Sequence, residues 1–280
     1  MSTPPIQWYP GHIAKAEKAL QEHLKRVDVV LDVRDARIPL ATSHPQVQQW
    51  IGSKESILVL NRLDMIPESL RQRWTVWFQG QGKDPYFTDA QHGKGIQLVL
   101  KAAQTAGEQM NQRRRQRGML PRPVRAVVVG FPNVGKSALI NRLLNRRVVE
   151  SARRPGVTRQ LRWVRISDQI ELLDAPGVLP SRLDNQDMAL KLAICDDIGQ
   201  AGYDTQRVAA ALVDLLSHHQ TDKALANRYG LAVGELSGES YLHRLADQWY
   251  QGDVERTARQ ILTDFRKGEL GAIPLEYPPE

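Results

Sequence analysis

Gly130 to Ser137 reads GFPNVGKS. Two glycines, a lysine and a hydroxyl in the pattern G-x-x-x-x-G-K-[ST] suit the task of holding a chain of phosphates. Glycine lets the backbone curl so that successive N–H groups face one anion at the positive end of a helix. In this reading the loop from Asn133 through Val134, Gly135, Lys136, Ser137 and Ala138 wraps the phosphates. Lys136 reaches the β- and γ-phosphates and acts on the transferring group, while Ser137 offers its hydroxyl to Mg²⁺. The flanks fit. Val124–Val129 is a β-branched run typical of a buried strand, and 137–144 has helical spacing. A chance glycine turn would have neither flank.

Three further stretches carry compatible chemistry. Asn61-Arg62-Leu63-Asp64 closes an apolar run and matches N-[KR]-x-D. Its Asp carboxylate can accept two N–H bonds from a guanine edge, which adenine cannot supply, and its Asn amide can reach the base or brace the phosphate loop. Thr88-Asp89-Ala90 stands where GTPases carry a [ST]-x-A backbone contact to the base. Asp174-Ala-Pro-Gly177 matches D-x-P-G, in which Asp174 holds Mg²⁺ through water and the Gly177 N–H meets the γ-phosphate. Thr158, in a Gly-containing loop, can ligate the same Mg²⁺. Each tetrapeptide alone could be an ordinary turn. Together they favour GTP and GDP over ATP, although the phosphate loop by itself does not choose the base, and a decayed, non-enzymatic pocket in an RNA-binding protein is the remaining alternative.

These residues need strands to end beside them. Short apolar runs at 27–33, 56–60, 85–88, 124–129, 160–167 and 170–173 read as strands, alternating with helical spacing at 14–26, 68–79 and from 96 onward. That alternation implies an α/β fold with a doubly wound, mostly parallel sheet. The order is unusual: the base-reading motifs precede the phosphate loop. A circular permutation of one sheet accounts for this, since chain termini usually lie close together. Residues 1–184 are read as this permuted domain. Residues 185–280 read as all helix, with Val208, Leu212, Leu215 and Leu216 on one face and Val254, Ala258, Ile261, Leu262 and Phe265 on another, forming a small helical domain that binds RNA or the ribosome.

Composition sets limits. The 280 residues are 41% hydrophobic and 25% charged, as in globular proteins, and the single Cys195 excludes an internal disulfide. No apolar run is long enough to span a bilayer, and the N-terminus has neither a signal peptide's apolar core nor a transit peptide's arginine-rich helix. A cytoplasmic bacterial protein is expected, with no membrane contact. Charge is uneven: residues 1–184 carry 29 Lys and Arg against 16 Asp and Glu, a net +13, whereas 185–280 carry 9 against 15, a net −6. Residues 113–165 hold 15 basic residues and one acidic residue, Glu150. A stripe this dense is the footprint of a polyanion, favouring nucleic acid.

Together with Trp8-Tyr-Pro-Gly-His12, Asp35-Ala-Arg-Ile-Pro39, Pro155-Gly-Val-Thr-Arg159 and Asp264-Phe-Arg-Lys-Gly268, these motifs resemble the YlqF-type family of circularly permuted GTPases, ribosome biogenesis GTPase A, over nearly the whole chain. The resemblance implies assembly of the large ribosomal subunit, its rRNA as partner, GTP turnover as a timer, and action as a monomer. Many GTPases place a Gln after D-x-x-G to orient the attacking water, but Val178 and Leu179 stand there. The resemblance offers two substitutes. His12 sits in the family's N-terminal element near the nucleotide, where a neutral imidazole can orient or accept from water. Asn133 matches the Asn that holds K⁺ in potassium-stimulated relatives. Arg62 replaces the commoner Lys, and Thr88-Asp89-Ala90 is a loose version of its motif.

Overall fold

The computed structural model describes residues 6, 20–22, 24–144, 162–168, 170–174, 185–198 and 203–279. The fold is α/β. Its six-stranded sheet is built from β1 (Val29–Asp35), β2 (Glu55–Asn61), β3 (Pro85–Thr88), β4 (Val124–Val129), β5 (Arg162–Ser167) and β6 (Ile170–Asp174). The order is β3-β2-β1-β4-β6-β5, parallel throughout except for the edge strand β5, which runs antiparallel to β6.

Near-continuous apolar runs make the central strands β1, β2 and β4 largely buried on both faces, and alternate residues divide between two cores. Val29, Leu31 and Val33 of β1 and Val124, Ala126 and Val128 of β4 face one cluster, whereas Val30, Val127 and Val129 face another with Leu20 and Leu24. Leu58 and Leu60 of β2 meet Leu70, Trp74 and Phe78 of α2 (Glu68–Gly80). A short helix, α1 (Val47–Ile51), adds Val47 and Ile51 to the Leu20 cluster. The long α3 (Ile96–Gln116) packs Ile96, Val99, Ala103 and Gly107 inward, and α4 (Lys136–Leu143) follows the phosphate loop.

Register positions the site. Asp35 pairs with Asn61, Asn61 with Thr88, and Val128 with Asp174, so these strands end along one edge of the sheet. The phosphate loop leaves β4 and the N-R-L-D stretch leaves β2, with only β1 between them. Two strand spacings set the loops about 10 Å apart, suited to a nucleotide lying across the carboxyl edge of an open α/β sheet.

Helices fill much of the rest of the chain: α5 (Gln186–Cys195), α6 (Thr205–His218), α7 (Lys223–Tyr229), α8 (Gly238–Trp249) and α9 (Val254–Lys267). Asn185, Asp204, Ser237 and Asp253 cap four of them through side-chain oxygens that accept backbone N–H groups. The start of α8 lies hard against α6. A Cβ on Gly238 would sit 2.0 Å from the Ala210 carbonyl oxygen. Among the described residues of 185–280 every regular element is a helix; α9 stops at Gly268, a left-handed C-cap (φ 79°), and 269–279 is irregular. Pro274 and Pro278 lie in that stretch and disfavour helix. It returns to the sheet, where the N–H groups of Leu275 and Glu276 both donate to the Arg37 carbonyl. The helices also share one apolar cluster with β1, β2 and β4. Among the described residues no helix is long and apolar enough to cross a membrane.

Candidate functional site

The phosphate loop has the backbone its glycines permit. Gly130, Asn133 and Gly135 adopt positive φ (148°, 57° and 103°). A Cβ on Gly130 would meet the Val33 carbonyl oxygen at 2.2 Å, and one on Gly135 would meet Asn61 Nδ2 at 2.1 Å. The loop thus packs tightly against residues near the carboxyl ends of the paired strands β1 and β2, and both positions require glycine. Lys136 is buried, its Nζ donating to the Phe131 carbonyl at 2.6 Å across the loop. Ser137 and Ala138 are half-buried in the first turn of α4.

Asn61 joins the phosphate and base halves. Its Nδ2 donates to the Val134 carbonyl at 2.8 Å, and its Oδ1 accepts from Thr88 Oγ1 at 3.1 Å and from the Ala90 N–H at 3.0 Å. Of the two roles open to the Asn amide, the structure shows bracing. Asp64 lies beyond, in a 3₁₀ turn at 63–65, with its side chain exposed. Asp89 is turned inward. Its Oδ1 accepts from the Gln91 and His92 N–H groups and its Oδ2 contacts His92 Nδ1 at 2.7 Å, so it shapes the turn. Arg142 of α4 donates to the carbonyls of Ala90 and Gln91, tying the base loop to the phosphate-loop helix.

Arg62 shows why a guanidinium stands there. Nη2 donates to the Asn133 carbonyl at 2.8 Å, while Nε lies 3.2 Å from Asp35 Oδ2. Two rigidly spaced donors make both contacts, a geometry an ammonium lacks. Asp35 also takes Nε and Nη2 of Arg37 at 3.0 and 2.7 Å. Burial alone would raise the Asp35 carboxyl; Arg37 and Arg62 outweigh it and hold it low.

Sequence reading misses this buried network: Asp35-Ala-Arg-Ile-Pro39 enters only through the family resemblance. The D-A-R-I-P stretch in fact carries Asp35 and Arg37 into the core, and Arg37 reaches the Cys195 carbonyl at 3.3 Å. An Asp and an Arg two residues apart, between the apolar run ending at Val33 and Ile38, were the available signal. The helical segment also touches the phosphate loop directly: Asn133 Nδ2 donates to the Asp196 carbonyl at 2.7 Å. Next to it, Asp197 is fully buried, and neither carboxylate oxygen has a hydrogen-bond partner among the described residues.

His12, Thr158 and Gly177 lie outside the described residues, as does the side chain of Asp174; the backbone of Asp174 ends β6 beside Val128 of the phosphate-loop strand. Ser137 in the first turn of α4 and Asp174 at the backbone end of the adjacent strand are oxygen-bearing residue types of the kind Mg²⁺ takes.

A family model described as 50S ribosome-binding GTPase matches residues 125–229. That span starts at the phosphate-loop strand and leaves out the base-reading motifs, as a permuted order requires. Among curated proteins, Ribosome biogenesis GTPase A of Bacillus cereus is 32% identical, the alignment covering 98% of this chain and 95% of the relative. Mitochondrial ribosome-associated GTPase 1 of Mus musculus is 31% identical, with 96% and 90% covered. Among solved structures, GNP-bound YlqF from T. maritima superposes with a TM-score of 0.65 at 25% identity, covering 95% of this chain and 99% of that one. A GDP-bound structure of the same protein gives a TM-score of 0.66.

Proposed function

We propose, from the premise that this chain belongs to the ribosome biogenesis GTPase A family, that its GTPase cycle serves assembly of the large ribosomal subunit in the cytoplasm. The observation that carries the reading is the Asn61 node. One amide fastens the phosphate loop to the base-reading turn, across a chain order opposite to that of an ordinary GTPase. Such a node serves a ligand that has both a phosphate chain and a base.

In this reading residues 1–184 bind and hydrolyse GTP, and residues 185–280 join them in holding RNA or the ribosome. Asp64 selects guanine, with Thr88, Asp89 and Ala90 shaping the base loop. Lys136 leaves the Phe131 carbonyl for the β- and γ-phosphates. Ser137, Thr158 and Asp174 would hold Mg²⁺, which when bound neutralises charge on the phosphate oxygens. The Gly177 N–H meets the γ-phosphate. His12 orients the attacking water or accepts its proton. Asn133 uses its Nδ2 on Asp196, leaving its Oδ1 as the atom suited to K⁺, which would place positive charge beside the transferring phosphate. The basic stretch 113–165 binds rRNA, and hydrolysis times release of the protein, as a monomer, from the subunit.

Cosedimentation with purified large subunits tests this. The chain loaded with a non-hydrolysable GTP analogue should pellet with subunits, and the GDP-loaded chain should remain in the supernatant. Equal pelleting in both states would contradict the timer, and no pelleting in either would contradict the partner.

A further inference from the structure

The turn that follows α3 is built with more care than a connector needs. Asn111 clasps Arg122 from both sides: Nδ2 donates to its carbonyl at 2.9 Å, and Oδ1 accepts its N–H at 3.0 Å. Arg114 Nε donates to the Leu120 carbonyl at 3.0 Å, and the Arg114 carbonyl accepts the N–H groups of Arg117 and Met119. Gly118 supplies the left-handed residue the turn requires (φ 72°). Arg122 anchors the base of the turn through paired 2.8 Å bonds to Asp28, whose Oδ2 also accepts the Arg125 N–H.

This scaffold displays two kinds of side chain. Met119 and Leu120 are 40% and 83% exposed at the tip. Arg113, Arg115 and Arg117 are exposed around the shaft and form no ion pair with any described residue. No acidic residue occurs between Glu108 and Glu150. Arg113 and Arg115 point about 200° apart on the helix. A helix that lies on a lipid surface separates a basic face from an apolar one. Here charge surrounds the shaft and the apolar pair is confined to the end. That shape fits entry between phosphate strands, with the tip against unstacked bases, since apolar wedges and base faces are complementary and RNA exposes its bases at loops and bulges.

We propose that residues 113–122 form a preorganised arm that docks into folded RNA, with Arg113, Arg115 and Arg117 on phosphates and Met119 and Leu120 against an unstacked base. The inference rests on the rRNA-binding reading above and names the surface and the mode. Because the turn is fixed before binding, little ordering cost accompanies docking.

The full chain, bound to a GTP analogue, would be titrated with protein-free large-subunit rRNA across a salt series. Arg113→Gln, Arg115→Gln and Arg117→Gln together should reduce the slope of log affinity against log salt by about 0.7 to 0.9 for each phosphate no longer neutralised. Met119→Ser with Leu120→Ser should lower affinity about tenfold, the scale of a single stacked base, with the slope unchanged. Leu120→Cys carrying a photoreactive maleimide gives an independent readout, because Cys195 is buried. The label should crosslink to RNA when assembled with subunits. If the parent chain binds rRNA while both arm variants match it in affinity and slope, the arm is not the docking surface and the rRNA reading stands. Crosslinks to ribosomal protein alone, or preferential binding of the arm to anionic phosphatidylserine vesicles, would also overturn it. If the parent chain binds no rRNA at all, the underlying reading fails as well.

Discussion

Asn133 of the phosphate loop donates its side-chain amide to the main-chain carbonyl of Asp196, 2.7 Å away, at the end of α5. A loop that cradles phosphate is thereby fastened to the helical segment. Asp196 is itself a left-handed C-cap (φ 67°), and Arg266 of α9 holds that helix end by donating to the Ala193 and Ile194 carbonyls at 2.7 and 2.8 Å.

Arg266→Met should therefore slow GTP hydrolysis by about 10- to 100-fold, the scale of a misplaced catalytic group, with GTP affinity nearly unchanged. Asn133→Ala and Arg266→Met should be non-additive in kcat, because they break one chain of contacts. Additive losses would show that Arg266 serves only the helical core.

Arg62→Lys removes one of two contacts made by a single fork. Urea unfolding should show a loss of about 1.5–3 kcal/mol, the range for hydrogen bonds to charged groups. Guanine selectivity should persist, since Asp64 is untouched. A stability equal to the parent's would mean the second Arg62 contact contributes nothing.

Asp197 gives a pH signature. Burial, reinforced by neighbouring Asp35 and opposed by Arg62 and Arg37, pushes its carboxyl well above the ordinary 3.8. A raised folded value means that the folded chain holds this proton more tightly than the unfolded chain. The resulting stability is complete below the ordinary value and is lost as pH rises through the folded one. Asp197→Asn cannot lose a proton, so its stability relative to the parent should increase as pH rises through that window. A difference that is flat with pH would show that Asp197 is ionised or paired throughout.

The sequence carried the sheet and the ligand-facing motifs because both depend on local pattern. β2, β3 and β4 end within a residue of the apolar runs, and the tightly packed glycines Gly130 and Gly135 are required by contacts a motif already encodes. What escaped was long-range pairing. Asn61 could be assigned to base or loop only by seeing Val134 and Ala90 on either side of it. Arg37 meets Cys195 across 158 positions, and Glu276 meets Leu40 across 236. Glu276 was unreadable as a capping residue because the N–H groups it satisfies belong to a turn near the other end of the chain.

Asp64→Asn tests base choice. The exposed carboxylate should accept from guanine, so the variant should lose GTP affinity by at least tenfold, about 1.4 kcal/mol, while competition by ATP stays as weak as before. Unchanged GTP affinity would remove Asp64 from the site.

The central claim is that this permuted nucleotide site is a GTPase driven by the large ribosomal subunit. The most direct measurement is phosphate release from GTP by the purified chain, alone and with stoichiometric large subunits, in K⁺ and in Na⁺. The account predicts slow release alone, at least a tenfold rise with subunits, a larger rise in K⁺ than in Na⁺, and loss of most of that rise in His12→Ala. Release that is equally slow with and without subunits in both salts would contradict it.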